Sequence, residues 1–591
     1  MQDCGSAGCS IKCNVTIELT TTSSPLAAFA ETISTQREDH PSTLLGRFGI
    51  RLHCFHRDET IWSALLSLEA MELSIGTAYT ASSTEYAGLT LFVAIISLYA
   101  VIVAGYRIWF HPLSRFPGPL LARAFYGYEF WYDVVRKGQF TRKVEQLHKL
   151  YGPIVRVNPD ELHCNDPAFI DILYRTGKGR RDKSSHYLAA FPRGVRLATV
   201  GTANHDEHKQ RRVPVAKYFS RSRIAKHEDI VHEKAQLLCA RLLAWDDNAP
   251  FELTSAYSCF TTDTLTRYAF GHSLENLKRS GWKPTFKGTV DKMTGLFYLS
   301  RHLPFLAHLA EYLPLNICRY ISTDITALLE LIRVIIPQLV YESVDTESDK
   351  VVHPNIVDAL LESDGPPREK SIERLTGEAV AVVLGGTHSI STVLSIATFH
   401  LLRDTERLDR LRRELRSVVR DETALPRWST LEQLPYLNAI IQEALRLMHG
   451  VASRITLVAP DEDLVYVATD DSSHVIPRGS SIGMSSYMIH NDSKLYPDPT
   501  AFLPERWLDE NGTRDRELDK YMMSFSKGPR QCVGMHLAYC ELHIGLAALA
   551  LRALPHMKLH NTSVSDVAYD HDQLISMPRT GSRGVQITIY Q

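Results

Sequence analysis

Phe525-Ser526-Lys527-Gly528-Pro529-Arg530-Gln531-Cys532-Val533-Gly534 is the stretch from which the rest of the chain is read. Gly528 and Pro529 interrupt regular structure just ahead of the cysteine. The apolar residues that follow, Met535, Leu537, Ala538, Leu542 and Leu546, recur at helical spacing. Cys532 therefore belongs at a helix entrance, where unpaired backbone N–H groups and the positive end of the helix dipole favour a thiolate. Taken alone, the residue reads first as a buried structural cysteine before a core helix, the usual fate of a free cysteine.

The ten residues together resemble the haem-binding loop of the cytochrome P-450 family, F-x-x-G-x-R-x-C-x-G, with Phe525, Gly528, Arg530, Cys532 and Gly534 at its five fixed positions. The resemblance implies that Cys532 is the axial ligand of the iron of haem b, where a thiolate pushes electron density onto the metal and favours O–O cleavage. It also implies that Phe525 packs beside the sulfur and that Arg530 reaches a haem propionate.

The chain has 591 residues and a net charge of -2, so no global charge points to nucleic acid. Ten cysteines in this length are not a disulfide framework; Cys164, Cys239, Cys259, Cys318 and Cys540 lie in apolar or helical segments, as reduced thiols facing the cytosol would. Residues 1–86 are rich in Ser, Thr and Ala and read as a disordered or lumenal extension. Met71 is a candidate alternative start, and Cys4, Cys9 and Cys13 lack a second ligand pair at metal-site spacing.

Residues 87–106 are apolar and uncharged, long enough at about 1.5 Å per residue to cross the roughly 30 Å hydrocarbon core. Arg107, Arg115 and Arg123 follow the segment and Glu72 and Glu85 precede it. The positive-inside rule then predicts a single-pass anchor with the body in the cytosol. Residues 107–119, with Pro112, Pro117 and Pro119, resemble the family's stiff hinge, and 120–591 the haem domain.

Within the body, a helical pattern runs from Tyr126 to Leu150, and Ile154–Val157 and Glu161–Cys164, split by Asn158-Pro159-Asp160, predict a β-hairpin. His208 and Arg212 are four apart on one face of a later helix. The run is a solvated basic face by itself; by resemblance the pair binds haem propionates, with Lys209 and Arg211 presenting a basic surface to an acidic redox partner. Phe297–Leu313 falls where the family has its mobile lid, and His449–Val458 and Leu574–Pro578 where pocket residues lie.

The longest apolar run of the body, Leu375–Leu402, contains Glu378 and His388 and so predicts a buried core helix rather than a second membrane span. Gly385-Gly386-Thr387-His388-Ser389 inside it predicts a local kink. The family's A/G-G-x-D/E-T kink lies over the haem, and its acid and alcohol relay protons to dioxygen. Here His388 and Ser389 hold those positions, and imidazole and hydroxyl can both pass protons. A satisfied core histidine is the plainer alternative.

Glu443-Ala444-Leu445-Arg446 is an E-x-x-R pair, and Pro504-Glu505-Arg506-Trp507 resembles the family's P-E-R-F segment. By resemblance Glu443, Arg446 and Arg506 form a buried triad that supports the cysteine loop, and Arg454 reaches a propionate. The wording around Gly152–His163 and Arg180-Arg181-Asp182-Lys183 looks most like the fungal trichodiene-oxygenase-like members.

These readings imply a mainly α fold with small β-sheets and a haem-thiolate monooxygenase anchored in the endoplasmic reticulum membrane. Its expected substrates are dioxygen and an apolar secondary metabolite, a terpenoid ahead of a polyketide or alkaloid. The stretch after the cysteine helix is too short for a fused flavin reductase, so electrons are expected from NADPH–cytochrome P-450 reductase, with cytochrome b5 as a second donor. The alternatives are a haem-thiolate isomerase or dehydratase that does not use dioxygen, and a non-catalytic haem-binding membrane protein.

Overall fold

The computed structural model describes residues 88–590 apart from 176, 178, 246–248, 286, 346–354 and 469–471. The readings for residues 1–86, including Met71 and the three N-terminal cysteines, lie outside the described residues. Gly88–Phe110 forms helix α1, ending in a π-turn from Tyr106. Three described helices are long and apolar enough to cross a membrane. None of the most apolar window of α1 is buried against protein, whereas 56% of that of Ile372–Arg403 and 89% of that of Met535–His556 are. The latter two are core helices, and α1 is the candidate span.

The single helix expected from Tyr126 to Leu150 is divided. A short helical piece runs from Gly127 through Val135, and α2, Phe140–Tyr151, begins after a reversal. Lys137 and Gly138 there take positive φ of 52° and 81°, a left-handed step no helix can contain. The predicted hairpin is present as β1, Ile154–Asn158, paired antiparallel with β2, Glu161–Cys164. These strands join β3 (Asp182–Lys183), β4 (Ile455–Val458) and β5 (Ser481–Met484) in a five-stranded sheet of order β1-β2-β5-β4-β3. This sheet brings the strands between Ile154 and Lys183 together with those between Ile455 and Met484, segments far apart in the chain.

Helix α3, His205–Tyr218, starts where Asn204 Oδ1 accepts the N–H groups of Asp206 and Glu207. Then come α4 (Glu228–Leu243), α5 (Leu253–Phe270), α6 (Lys287–His302), α7 (Pro304–Tyr312) and α8 (Leu315–Ile321). The centre of the body is α9, Ile372–Arg403, packed lengthwise on α5. Its sequence carries Thr and Ser at 387, 389, 391, 392 and 395, poor helix formers whose hydroxyls bond back to carbonyls three or four residues earlier.

The helix is continuous through Gly385 and Gly386 rather than broken there. A hydroxyl seam ties it to α5: Tyr257 Oη lies 2.8 Å from Thr398 Oγ1, Ser258 Oγ donates to Ser391 Oγ at 3.0 Å, and Thr261 Oγ1 donates to the Thr387 carbonyl at 2.9 Å. Helix α10, Pro435–Met448, and helix α11, Met535–Ala548, also pack on α9. A hairpin of β6 (His571–Gln573) and β7 (Ile575–Met577) turns at Leu574.

Candidate active site

Cys532 sits three residues before α11, as its neighbours predicted. Its backbone N–H donates to the Phe525 carbonyl at 2.9 Å, closing the loop, and the Phe525 ring lies 5.2 Å from that of Tyr539. Gly528 takes φ of 68°, and a Cβ there would come within 2.3 Å of the Tyr174 carbonyl oxygen, so only glycine permits this turn. Cys164, Cys239, Cys259, Cys318 and Cys540 are buried, whereas Cys532 is exposed. Yet Cys532 is set deep in the fold: burial pushes its thiol up, against the Gly534 N–H and the Arg212 charge, which pull it down. A sulfur that is accessible but enclosed by protein faces an internal concavity.

Around this sulfur the chain gathers positive charge. His208, only 3% exposed, is held at about 2 by burial and by Arg530, Lys183 and Arg212. Lys183 is lowered to about 7 by burial, Arg530 and Arg212. Burial lowers Arg530 to about 10, and it lowers Arg212 while Cys532 pulls that group up.

Arg530 donates to the carbonyls of Thr202 and Ala203, both at 2.6 Å, and Lys183 to that of Val200 at 2.6 Å. Among the described residues no carboxylate lies within ion-pair distance of His208, Lys183, Arg212 or Arg530. Mutual repulsion in a low-dielectric setting is unfavourable unless anions join it. The group therefore fits a ligand with carboxylates beside the thiol, which is what haem b offers. On α9, Gly385 is exposed although mid-helix in the core, and a Cβ built there meets nothing within 4 Å. Helix α9 thus also has a surface open enough to admit a flat group or small molecule.

Arg454 is placed otherwise. It is 5% exposed and its guanidinium is held by Glu129 and by Glu161, the latter at 2.9 Å. Glu129 in turn accepts from Asn158 at 2.9 Å and meets His186 at 3.0 Å and Arg301 at 3.3 Å. Glu129 and Glu161 hold Arg454 through Nε and Nη2, so the structure gives it a role in this buried network that the sequence did not predict. Arg211, expected on an open basic face, is likewise mostly buried, with Glu369 at 2.9 Å and Glu207 at 2.9 Å; Lys209 does remain exposed.

Glu443, Arg446 and Arg506 meet as a buried triad. Arg446 donates to both Glu443 oxygens at 2.9 and 2.8 Å, and Arg506 Nε to Oε1 at 3.2 Å. Glu443 also accepts from Trp507 Nε1 and the Leu503 N–H, each at 2.9 Å, which puts the tryptophan of the P-E-R-W segment to use as a donor.

His388 and Ser389 lie on α9 one turn past Gly385, whose carbonyl accepts from Ser389 Oγ at 2.9 Å. His388 Nδ1 is 3.2 Å from Asp291 Oδ1 on α6, and Lys287 Nζ is 2.8 Å from Asp291 Oδ2. Sequence reading passed over Asp291 and Lys287. Their i,i+4 spacing marked only an ordinary helix pair, with nothing to link them to α9.

The two stretches assigned to the pocket by position do meet the expected lid segment. Ile455 and Leu574 pack with Tyr187, Leu188, Phe191, Phe297 and Tyr298 in one apolar, largely aromatic cluster.

Residues 117–575 match the family model described as Cytochrome P450. The chain is similar to the cytochrome P450 monooxygenase ppzE of Metarhizium majus, 44% identical over 444 residues, or 73% of this chain and 93% of that protein. It is 34% identical to the tryptophan 6-hydroxylase fscE of Fusarium equiseti over 85% of this chain and 96% of that protein. It is 32% identical to the cytochrome P450 monooxygenase TRI4 of Fusarium sporotrichioides over 80% and 89%.

Proposed function

Because the chain belongs to the cytochrome P450 family, in which a cysteine thiolate binds haem b and a monooxygenase draws on a redox partner, dioxygen and a small-molecule substrate, we propose that it hydroxylates or epoxidises an apolar secondary metabolite. In the overall reaction one oxygen atom enters the substrate and the other leaves as water, with two electrons from NADPH delivered by a separate NADPH–cytochrome P-450 reductase and cytochrome b5 as a second donor. Helix α1 anchors the protein in the endoplasmic reticulum membrane with the body cytosolic; its unburied apolar surface supports this reading.

The observation that carries the assignment is the enclosed, accessible Cys532 sulfur beside His208, Arg212, Lys183 and Arg530. When bound, the haem supplies the oxygen-activating chemistry, which no side chain here could supply. Cys532 holds the iron, with the Gly534 N–H stabilising the sulfur's charge. His208, Arg212 and Arg530 orient the propionates, and Lys183 completes the positive cluster. His388 and Ser389 hold protons at the open stretch of α9.

The cluster of Phe297, Tyr298, Tyr187, Ile455 and Leu574 excludes water and binds the apolar substrate. That lining suits a terpenoid, and equally a planar aromatic such as the tryptophan for which one relative is named.

The test is spectroscopic. Reduced protein exposed to carbon monoxide is expected to show the absorption band of thiolate-ligated haem, and Cys532→Ala to lose it. Persistence of the band in the variant would overturn the assignment. Turnover with labelled dioxygen and NADPH is then expected to put label in the product.

A further inference from the structure

We infer that Asp291 is a positioning residue for oxygen activation: from α6 it supplies a carboxylate at the place where α9 carries His388 instead of an acid, and with Lys287 it completes a cross-helix proton path through His388. This rests on the monooxygenase reading above.

The geometry begins at the surface. Lys287 and Asp291 stand one turn apart on α6, with side chains 21% and 31% exposed, and their charged atoms are 2.8 Å apart. Asp291 reaches across to α9, its Oδ1 3.2 Å from His388 Nδ1, an ion-pair distance although the two atoms are not aligned as a hydrogen bond. His388 is only 13% exposed. Its other nitrogen, Nε2, is 3.3 Å from Thr392 Oγ1, whose own proton is donated to the His388 carbonyl at 2.9 Å.

Both ring nitrogens therefore face acceptors. With Asp291 on the Nδ1 side and Thr392 on the Nε2 side, a proton can enter the ring at one nitrogen and leave at the other. Burial works against the charge on Asp291, yet His388 and Lys287 hold its carboxyl below the ordinary value. Burial also works against Lys287, and Asp291 with Glu252 holds its ammonium above the ordinary value. The pair stays ionised where it stands.

The proton balance is simple. Two protons are consumed for each oxygen molecule split by the two electrons from NADPH. Each would leave the His388 ring at Nε2 by way of Thr392 Oγ1 and be replaced at Nδ1 through Asp291 and Lys287 from water. Placing the acid on α6 also makes proton supply depend on α6 being seated over α9. A protein with α6 displaced would not form the path.

Coupling, meaning product formed per NADPH consumed, is the sensitive quantity. Asp291→Asn is expected to lower it about tenfold, a modest share of what general acid–base catalysis contributes, with the electrons appearing as hydrogen peroxide. Asp291→Glu should recover most of the loss. In a His388→Asp background, where α9 carries its own acid, Asp291→Asn should no longer lower coupling. The carbon monoxide band should be unchanged in all of these variants.

A second readout does not need turnover. In nitrogen-15 histidine-labelled protein, the His388 ring signals, identified by their absence in His388→Asp, should move in Asp291→Asn and return in Asp291→Glu. Unchanged coupling and unchanged ring signals in Asp291→Asn would overturn the inference. So would an equal loss of coupling in the His388→Asp background. Were the wild type to form no oxygenated product, the monooxygenase reading would fail, and the ring signals would still decide whether Asp291 governs His388.

Discussion

Glu443 shows how much one side chain can hold. Its two oxygens accept from Arg446, Arg506, Trp507 and the Leu503 N–H, and they tie α10 to the segment that leads into the cysteine loop. Removing the carboxylate leaves two buried guanidinium groups uncompensated. Glu443→Ala is therefore expected to cost about 3–5 kcal/mol, read as a lower urea midpoint together with loss of the carbon monoxide band. Trp507→Phe keeps an aromatic ring but removes one donor and part of the ring volume, so it should cost about 1–3 kcal/mol and leave the band in place. Equal effects of the two substitutions would show that packing, not charge, holds this junction. The E-x-x-R spacing and the P-E-R-W segment were both legible in the sequence; that the tryptophan donates to the same carboxylate was not.

At the scale of the element, the contact of α5 with α9 governs the site. A Cβ at Gly386 would lie 2.7 Å from Leu265 Cδ2, so the two helices approach closely only because this residue has no side chain. Gly386→Ala is expected to lose about 1–3 kcal/mol through overpacking, and the double substitution with Leu265→Ala to lose less than the sum of the two single ones. Urea unfolding of the four proteins measures this directly. Strict additivity would exclude the contact. The neighbouring Gly385 opens onto free space instead, so the same substitution there should leave stability nearly unchanged. The glycine pair stood out in the sequence; the structure uses one glycine for packing and the other for an opening.

For the whole molecule, buried imidazoles dominate the response to acid. Burial holds His148, His400 and His543 at about 4, His490 at about 3 and His208 at about 2, and it lowers His163 and His449 as well. Below the ordinary value of 6.5 the unfolded chain takes up protons that the folded chain refuses. Stability is thus present above that pH and lost as pH falls toward 4, by about 1.4 kcal/mol per pH unit for each proton of difference. Burial raises Glu541, Asp572, Asp133 and Glu414, which oppose the trend because the folded chain keeps their protons. The histidines outnumber these acids, so the urea midpoint is expected to fall between pH 7 and pH 5. A flat or rising midpoint would contradict the burial of these rings. His490 is the clearest single case: its Nδ1 donates to the Arg446 carbonyl at 3.0 Å while its Nε2 accepts from the Met523 N–H at 2.9 Å, a set of partners only the neutral ring satisfies.

By itself the sequence determined what short-range chemistry can encode: a cysteine loop with its turn residues, an apolar segment of membrane length, the hairpin of β1 and β2, and charged pairs at helical spacing. It also determined the family, because several such motifs stand in a fixed order. Only the tertiary structure decided which charges meet. Arg454 faces Glu129 and Glu161 rather than an open pocket, Arg211 is taken up by Glu369, and Asp291 arrives beside His388 from another helix. The physical reason is that ion pairing depends on distances of a few ångströms between segments far apart in the chain. Packing of whole helices sets those distances, and no local pattern records them.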